Sequence, residues 1–531
     1  MKEGFRQSMA WLHTWAGLLL GWLLFAIFVT GTLSFFKNEL NLWMRPELTQ
    51  VGALAPDSFG RVQQRLDELA STAEGWSIRM PDARTPGMQL FWFGPRPDGK
   101  GRKFENRLID PATGQDVSER KTMGGEFFYR FHFELRSAEK SKWIIEGRYL
   151  VGVGTMAMFI ALITGIITHR RIFKDFFVFR GRKGGLRAWL DAHNVLGVMV
   201  LPFYLMITFS GLVIFQYMYM PSATRAAYGA DGSAFFREAA GIHFNDKLDE
   251  GVTPIAIAPT KVPLDAIVAQ ASRTWPGGRI GTLSMQYASN GVPTIEAVRH
   301  DGDRLQYRGE RLVFDARDGR LIERYDVTAP AARTYGVLYG LHLARFATPF
   351  MRWALFLFGV AGSAMIGSGL VLWVKKRRAQ GLKGFDLRLV DTLNAAALAG
   401  LPVAIGAYFW ANRLLPLDME GRVDAELRVY FIVWGLCLLL ACLRTATAWR
   451  VLLYVGAVVY LLLPWGNALT SDIGLQRTLP AGNWAMAGVD LSFIACGLLM
   501  AWIGRRLGRP APVVARKGAR PATPALAQGE P

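Results

Sequence analysis

The residues of this chain best suited to chemistry are its histidines. There are seven, and five of them stand where long apolar runs begin or end: His13, His132, His169, His193 and His342. An ionisable side chain at membrane depth is expensive and marks a functional position by default. Neutral imidazole is also a good axial ligand for haem iron, and two imidazoles on facing helices make a six-coordinate centre suited to electron transfer rather than oxygen binding. A metal site built from protein alone is poorly supplied, because the histidines are far apart in sequence and lack carboxylates at ligand spacing. One histidine at a helix end is ordinarily an interfacial residue, but that does not account for five of seven at this level.

The spacing around these histidines repeats. His13 is followed by Gly17 and then by Thr30-Gly31, and His193 is followed at the same offsets by Gly197 and Ser210-Gly211. Two further apolar runs carry Thr164-Gly165 and Ser368-Gly369. Small residues of this kind let helices approach closely. The repeat maps His132 onto His342 on the outer side and His13 onto His193 on the inner side, so two sites are expected. His169 has no histidine counterpart, since Trp373 stands at the equivalent position. The inner site is therefore expected to use two of His13, His169 and His193.

The elements that must position these residues are membrane helices. Of 531 residues, 51% are hydrophobic, and several apolar runs approach twenty residues, enough to cross a hydrocarbon core of roughly 30 Å. The predicted fold is a polytopic all-α membrane protein of about eight transmembrane helices with two periplasmic α+β insertions, formed by a duplicated helix–module–helix unit. Its divisions are helix 1 (residues 1–37), module 1 (38–142), helix 2 with a basic loop (143–191), helix 3 (192–220), module 2 (221–341), helix 4 with a basic loop (342–390), about four further helices (391–505) and a disordered tail (506–531). The modules are read as repeats, one ending in Asp110-Pro-Ala-Thr-Gly114 and the other in Asp315-Ala-Arg-Asp-Gly319. The net charge of +19 sits beside the ends of apolar runs, as in Arg170 to Arg187 and Lys375 to Arg378. That is the positive-inside pattern and not a nucleic-acid footprint. It puts both termini in the cytoplasm and both insertions outside. The first run reaches Phe36 with no cleavage-like site after it, so it reads as a retained helix. The three cysteines, Cys437, Cys442 and Cys496, lie in late apolar runs and form no Cys-x-x-Cys-His, which excludes covalently attached haem.

His13-Thr-Trp-Ala-Gly17, Asp110-Pro-Ala-Thr-Gly114, Thr164-Gly-Ile-Ile-Thr-His169 and Asp191-Ala-His193-Asn-Val-Leu-Gly197 resemble the PepSY-associated transmembrane proteins, a group that includes iron-regulated inner-membrane proteins and ferric-siderophore reductases of the FoxB type. The resemblance spans roughly residues 5 to 380 and implies inner-membrane proteins that hold haem b, two groups in this reading, and reduce ferric siderophore in the periplasm. No dinucleotide-binding glycine motif follows a strand, so electrons must come from a cytoplasmic protein or a quinol-like donor. Two other readings stand beside this one: a binding or regulatory protein using its modules, and a transporter of the iron complex. Arg333 and Arg345 flank His342 and are candidates equally for binding propionates or an anionic chelate and for anchoring helix 4, Tyr217 to Pro221 for an aromatic belt or a cleft floor, and His243 and His300 for exposed loop residues.

Overall fold

A computed structural model describes residues 3–71, 73–96, 101–135, 145–169, 185–229, 234–235, 252, 262–307 and 310–507. His243, most of the first basic loop and the expected C-terminal tail from residue 508 on lie outside the described residues, while Arg506 and Leu507 belong to the last helix. The chain begins with α1 (Glu3–Ser34) and a short α2 (Lys37–Met44), then α3 (Ser58–Leu69) and strands β1 (Gly75–Arg79), β2 (Met88–Pro95) and β3 (Arg102–Ile109). α4 (Glu126–Glu134) and α5 (Gly147–Thr168) return it to the membrane, where α6 (Gly185–Met199) and α7 (Leu201–Ile214) follow. The second half repeats the plan with α8 (Leu264–Thr274), β4 (Ile280–Tyr287), β5 (Pro293–Arg299), β6 (Glu310–Asp315), β7 (Leu321–Asp326), α9 (Pro330–Leu343) and α10 (Pro349–Ala379). α11 (Phe385–Leu414), α12 (Arg422–Leu443), α13 (Thr445–Thr470) and α14 (Trp484–Leu507) complete the chain. Among the described residues seven single helices are long and apolar enough to cross a membrane, and α6 with α7 makes an eighth span if the bent pair counts as one. The chain is a multi-pass membrane protein with an α+β region outside its helices.

That bent pair corrects one expectation. His193 to Gly211 reads in sequence as a single helix, but it turns by 66° between α6 and α7. Pro202, in the first turn of α7, lacks an N–H and crowds the preceding turn. A freed carbonyl inside a membrane needs a partner. The fully buried Tyr204 supplies one across the break, its hydroxyl donating to the Leu196 carbonyl at 3.2 Å.

The two insertions are not separate modules. β1 pairs antiparallel with β4, setting Trp76 against Met285 and Ile78 against Leu283, and the result is one seven-stranded sheet in the order β3-β2-β1-β4-β5-β6-β7. Strand alternation puts Ile78, Leu90, Leu283, Ile295, Leu312 and Phe314 on one buried face. α3 covers that face with Val62 and Leu66, and α8 covers it with Leu264 and Ile267. The two Asp-x-x-x-Gly turns are alike. Gly114 and Gly319 both take positive φ, and their amides donate to the carbonyls of Asp110 (2.7 Å) and Asp315 (2.9 Å).

The four C-terminal helices are fastened to the duplicated part by buried polar contacts. Trp43 of α2 donates from its indole to Asp490 of α14 at 2.8 Å. Asn394 of α11 accepts from the Trp22 indole of α1 at 2.8 Å and donates to the Leu370 carbonyl of α10 at 3.1 Å. Each such group costs free energy when left unpaired in an apolar interior, so these contacts fix where the bundle sits.

A single core under both insertions has a measurable consequence. Ile78→Ala or Leu283→Ala is expected to cost about 2–5 kcal/mol and to expose both insertions to limited proteolysis together. Cleavage confined to the insertion carrying the substitution would contradict the shared sheet.

Candidate functional site

Each of four histidines sits on another helix at a hydroxyl–glycine step. His13 of α1 rests on α5, where a β-carbon on Gly165 would lie 3.2 Å from the ring. His193 of α6 rests on α10 at Gly369, and His342 of α9 rests on α7 at Gly211, each at 3.0 Å by the same measure. His132 of α4 rests on α1 at Gly31, where a β-carbon would come within 2.6 Å of Nδ1. At Gly31 a side chain would overlap the ring, and at Gly165, Gly211 and Gly369 it would crowd the ring and push it from its seat.

The same steps orient the rings. His13 Nδ1 donates to the Ala161 carbonyl at 2.8 Å, His193 Nδ1 to that of Met365 at 3.0 Å and His132 Nδ1 to that of Ile27 at 2.9 Å. These carbonyls stand three residues before Thr164, Ser368 and Thr30. His342 completes the set: its Nδ1 donates to the Ser210 hydroxyl at 3.0 Å, which itself donates to the Met206 carbonyl at 2.6 Å. A neutral imidazole whose Nδ1–H is engaged in this way offers the Nε2 lone pair as a ligand.

The histidines meet in two pairs. His13 and His193 have ring centroids 6.2 Å apart with planes at 74°, and His132 and His342 have centroids 6.0 Å apart with planes at 31°. His13 and Gly31 mark the two levels on α1, so the pairs are separated by about 27 Å along that helix at 1.5 Å per residue. Among the described residues no group of three His, Cys, Asp or Glu is placed to hold a metal ion, so each pair offers two ligands.

The outer pair opens into a cavity of about 1050 Å³. Its membrane half is apolar, lined by Leu24, Ile27, Phe28, Met158, Phe203 and Ile207. Its outer half is polar, lined by the sheet and by Lys37, Arg79, Asp82, Arg345 and Tyr307. A pocket of this kind, with few polar groups over an apolar body, suits a flat hydrophobic ligand with a charged edge.

His169 stands apart from both pairs. It follows α5, and its Nδ1 is buried with no hydrogen-bond partner among the described residues. Trp373 on α10 is its counterpart, and its Nε1 is likewise buried and unpartnered. Each lies four residues beyond the glycine that seats an inner histidine, about one turn further in. Arg333 is exposed and outside the cavity, whereas Arg345 lines it. Tyr219 also lines it, so the segment after α7 contributes to a cleft wall.

His300 is not a free loop residue. It links the two insertions, its Nε2 lying 3.1 Å from Asp82 Oδ2. Its Nδ1 accepts from Arg279 at 3.1 Å and from the Gly302 amide at 3.0 Å, so Nε2 carries the proton and donates to Asp82. Sequence reasoning missed this link because nothing local joins Asp82 to His300. The same holds for the histidine seats: the hydroxyl–glycine pairs were legible, but read as helix packing.

The PepSY-associated TM region matches residues 10–376, and the chain belongs to that family. The chain is also similar to an uncharacterized protein of Pseudomonas aeruginosa, 24% identical over 389 residues that cover 68% of this chain and 92% of the relative.

The Asp82–His300 link is expected to be acid-sensitive. Burial would raise the Asp82 carboxyl, but hydrogen bonds from His300, Thr85 and the Arg84 amide outweigh it and hold the group well below the usual carboxylate range. A depressed carboxylate stabilises the fold above its unfolded value of about 4 and loses that contribution as pH falls through the folded one. Asp82→Asn should cost about 1–3 kcal/mol at neutral pH and flatten the acid limb of thermal stability. An unchanged limb would show that this pair does not join the insertions.

Proposed function

We propose that this protein is a haem-bearing oxidoreductase that passes single electrons across the inner membrane to a ferric chelate, most directly a ferric siderophore, in the periplasm. The reading places both insertions outside and both termini in the cytoplasm, in keeping with the basic residues that flank the inner helix ends. The observation that carries it is the pairing of four oriented histidines at two levels, His13 with His193 and His132 with His342.

The residues fit haem b. Two imidazoles on one iron, each bonded at about 2 Å, have centroids about 6 Å apart, as both pairs do. Two ligands per pair suffice only if the rest of the coordination comes from a macrocycle. The apolar half of the outer cavity suits the porphyrin body, and the orphaned donors of His169 and Trp373 suit oxygen acceptors beside the inner pair. His169 is on this reading a hydrogen-bond donor and not an axial ligand.

Haem at each pair supplies a one-electron carrier. The protein's part is to fix the two levels, exclude water and join them. The carbonyls of Ala161, Met365 and Ile27 and the Ser210 hydroxyl hold each Nδ1–H, which makes Nε2 more basic and fixes the ring in place. Phe28, one turn inward of Gly31 on α1, packs edge to face against the buried Tyr204 with centroids 6.4 Å apart. The donor on the inner side is a quinol-like molecule or a protein. One electron delivered outside converts ferric to ferrous ion, and hard oxygen donors hold the ferrous ion less strongly.

Purified protein is expected to carry close to two haems per chain. His13→Ala or His193→Ala should remove one and His132→Ala or His342→Ala the other, while His169→Ala should leave both, measured by haem extraction and visible spectra. Protein without a Soret band would overturn this reading in favour of a binding or regulatory membrane protein. Loss of haem in His169→Ala with retention in His13→Ala would reassign the inner pair.

A further inference from the structure

The outer half of the cavity above His132 and His342 has an unbalanced charge. Most of the cations on its wall are tied to carboxylates: Lys37 to Glu126 at 2.9 Å, Arg279 to Asp303 at 2.8 Å, Arg299 to Glu310 at 3.0 Å and Arg345 to Asp301. The deeper Arg84, Arg148, Arg311 and Arg352 are tied in the same way. Arg79 has no carboxylate partner among the described residues. It stands at the end of β1, at the seam between the two halves of the sheet, opposite Thr282, exposed and facing into the cavity.

Arg79 is not isolated from the other cations. Burial holds Lys37 below its ordinary range, Glu126 offsets this in part, and the positive charges of Arg345 and Arg79 push it further down. Arg345 in turn lies over the Tyr307 ring at 5.1 Å, and Tyr307 stacks on Tyr339 at 4.4 Å with planes 6° apart. Tyr339 is three residues before His342 on α9, so this basic wall stands next to the outer histidine pair. Lys37, Arg79 and Arg345 line one opening, and Arg79, the uncompensated cation among them, favours an anion there. An arginine fork selects planar oxygen pairs such as carboxylates, which it binds in bidentate fashion.

We propose that the polar half of this cavity docks an anionic, carboxylate-bearing chelate of trivalent metal on Arg79, with Lys37 and Arg345 contributing to the same field. The substrate class builds on the reading of the His132–His342 pair as the point where electrons leave. A neutral or cationic hydroxamate complex gains nothing from such a wall. The other source of the same chemistry is a haem propionate, and the two are separable because only the propionate is retained through purification.

The test uses the full-length protein in detergent and gallium(III) citrate, a redox-inert anionic complex, with a neutral gallium(III) tris-hydroxamate for comparison. Binding is measured by calorimetry and haem content is recorded alongside. The anionic complex should bind more tightly than the neutral one. Arg79→Gln should weaken the anionic complex about tenfold or more and leave the neutral complex, haem content and thermal stability unchanged. Arg79→Lys, which keeps the charge, should retain most of the affinity. Equal affinity of the wild type and Arg79→Gln for gallium citrate would overturn the proposal, as would loss of haem in Arg79→Gln, which would assign the arginine to a propionate. Arg79-dependent citrate binding in protein that carries no haem would uphold the anion site and instead sink the redox reading.

Discussion

A glycine beside a buried hydrogen-bond acceptor on a neighbouring helix is what the rest of this structure depends on. Each of the four paired histidines needs both at once: room where a β-carbon would be, and an acceptor for Nδ1–H. The hydroxyl residue before each glycine contributes as well, since Thr30, Thr164 and Ser210 bond back to carbonyls three and four residues earlier on their own helices. This keeps their polar atoms satisfied in an apolar setting. Four helices carry such a step, and each holds the histidine of a different helix. The steps therefore set helix spacing, imidazole tautomer and ring position together.

Duplication explains why the steps come in two levels. One copy of the helix–module–helix unit cannot form either pair, because each pair takes one histidine from each half. The insertions mirror this dependence outside the membrane, where β1 and β4 join two partial sheets over one core. The seam of that sheet lies above the outer pair, which is why Arg79 and the Asp82–His300 link face the same cavity as His132 and His342. The added C-terminal helices bear on this frame from the side, through Trp43, Asn394 and Asp490.

Much of the architecture was legible in the sequence because its signals are local or repeated. Apolar runs gave the spans, the two Asp-x-x-x-Gly turns gave the module repeat, and matching offsets from His13 and His193 gave the duplication. The pairing of His13 with His193 was left open against His169, since only three-dimensional placement brings two rings within 6.2 Å. The bend at Pro202 was masked by continuous hydropathy on both sides of it. The merged sheet was hidden because β1 and β4 are some two hundred residues apart, and no short-range pattern encodes such a pairing. In sequence His169 and Trp373 show only as a break in symmetry. Their shared lack of an acceptor emerges only from burial.

If the His13–His193 and His132–His342 pairs hold haem iron as proposed, their different ring angles should be visible in electron paramagnetic resonance of the oxidised protein. Imidazole planes at 74° leave two iron d orbitals nearly degenerate and give a strongly anisotropic low-spin signal, whereas planes at 31° give a more ordinary rhombic one. Two low-spin ferric signals of unequal anisotropy are expected, the more anisotropic one absent from His193→Ala and the other absent from His342→Ala. A high-spin signal, a single low-spin species, or no haem signal at all would contradict it.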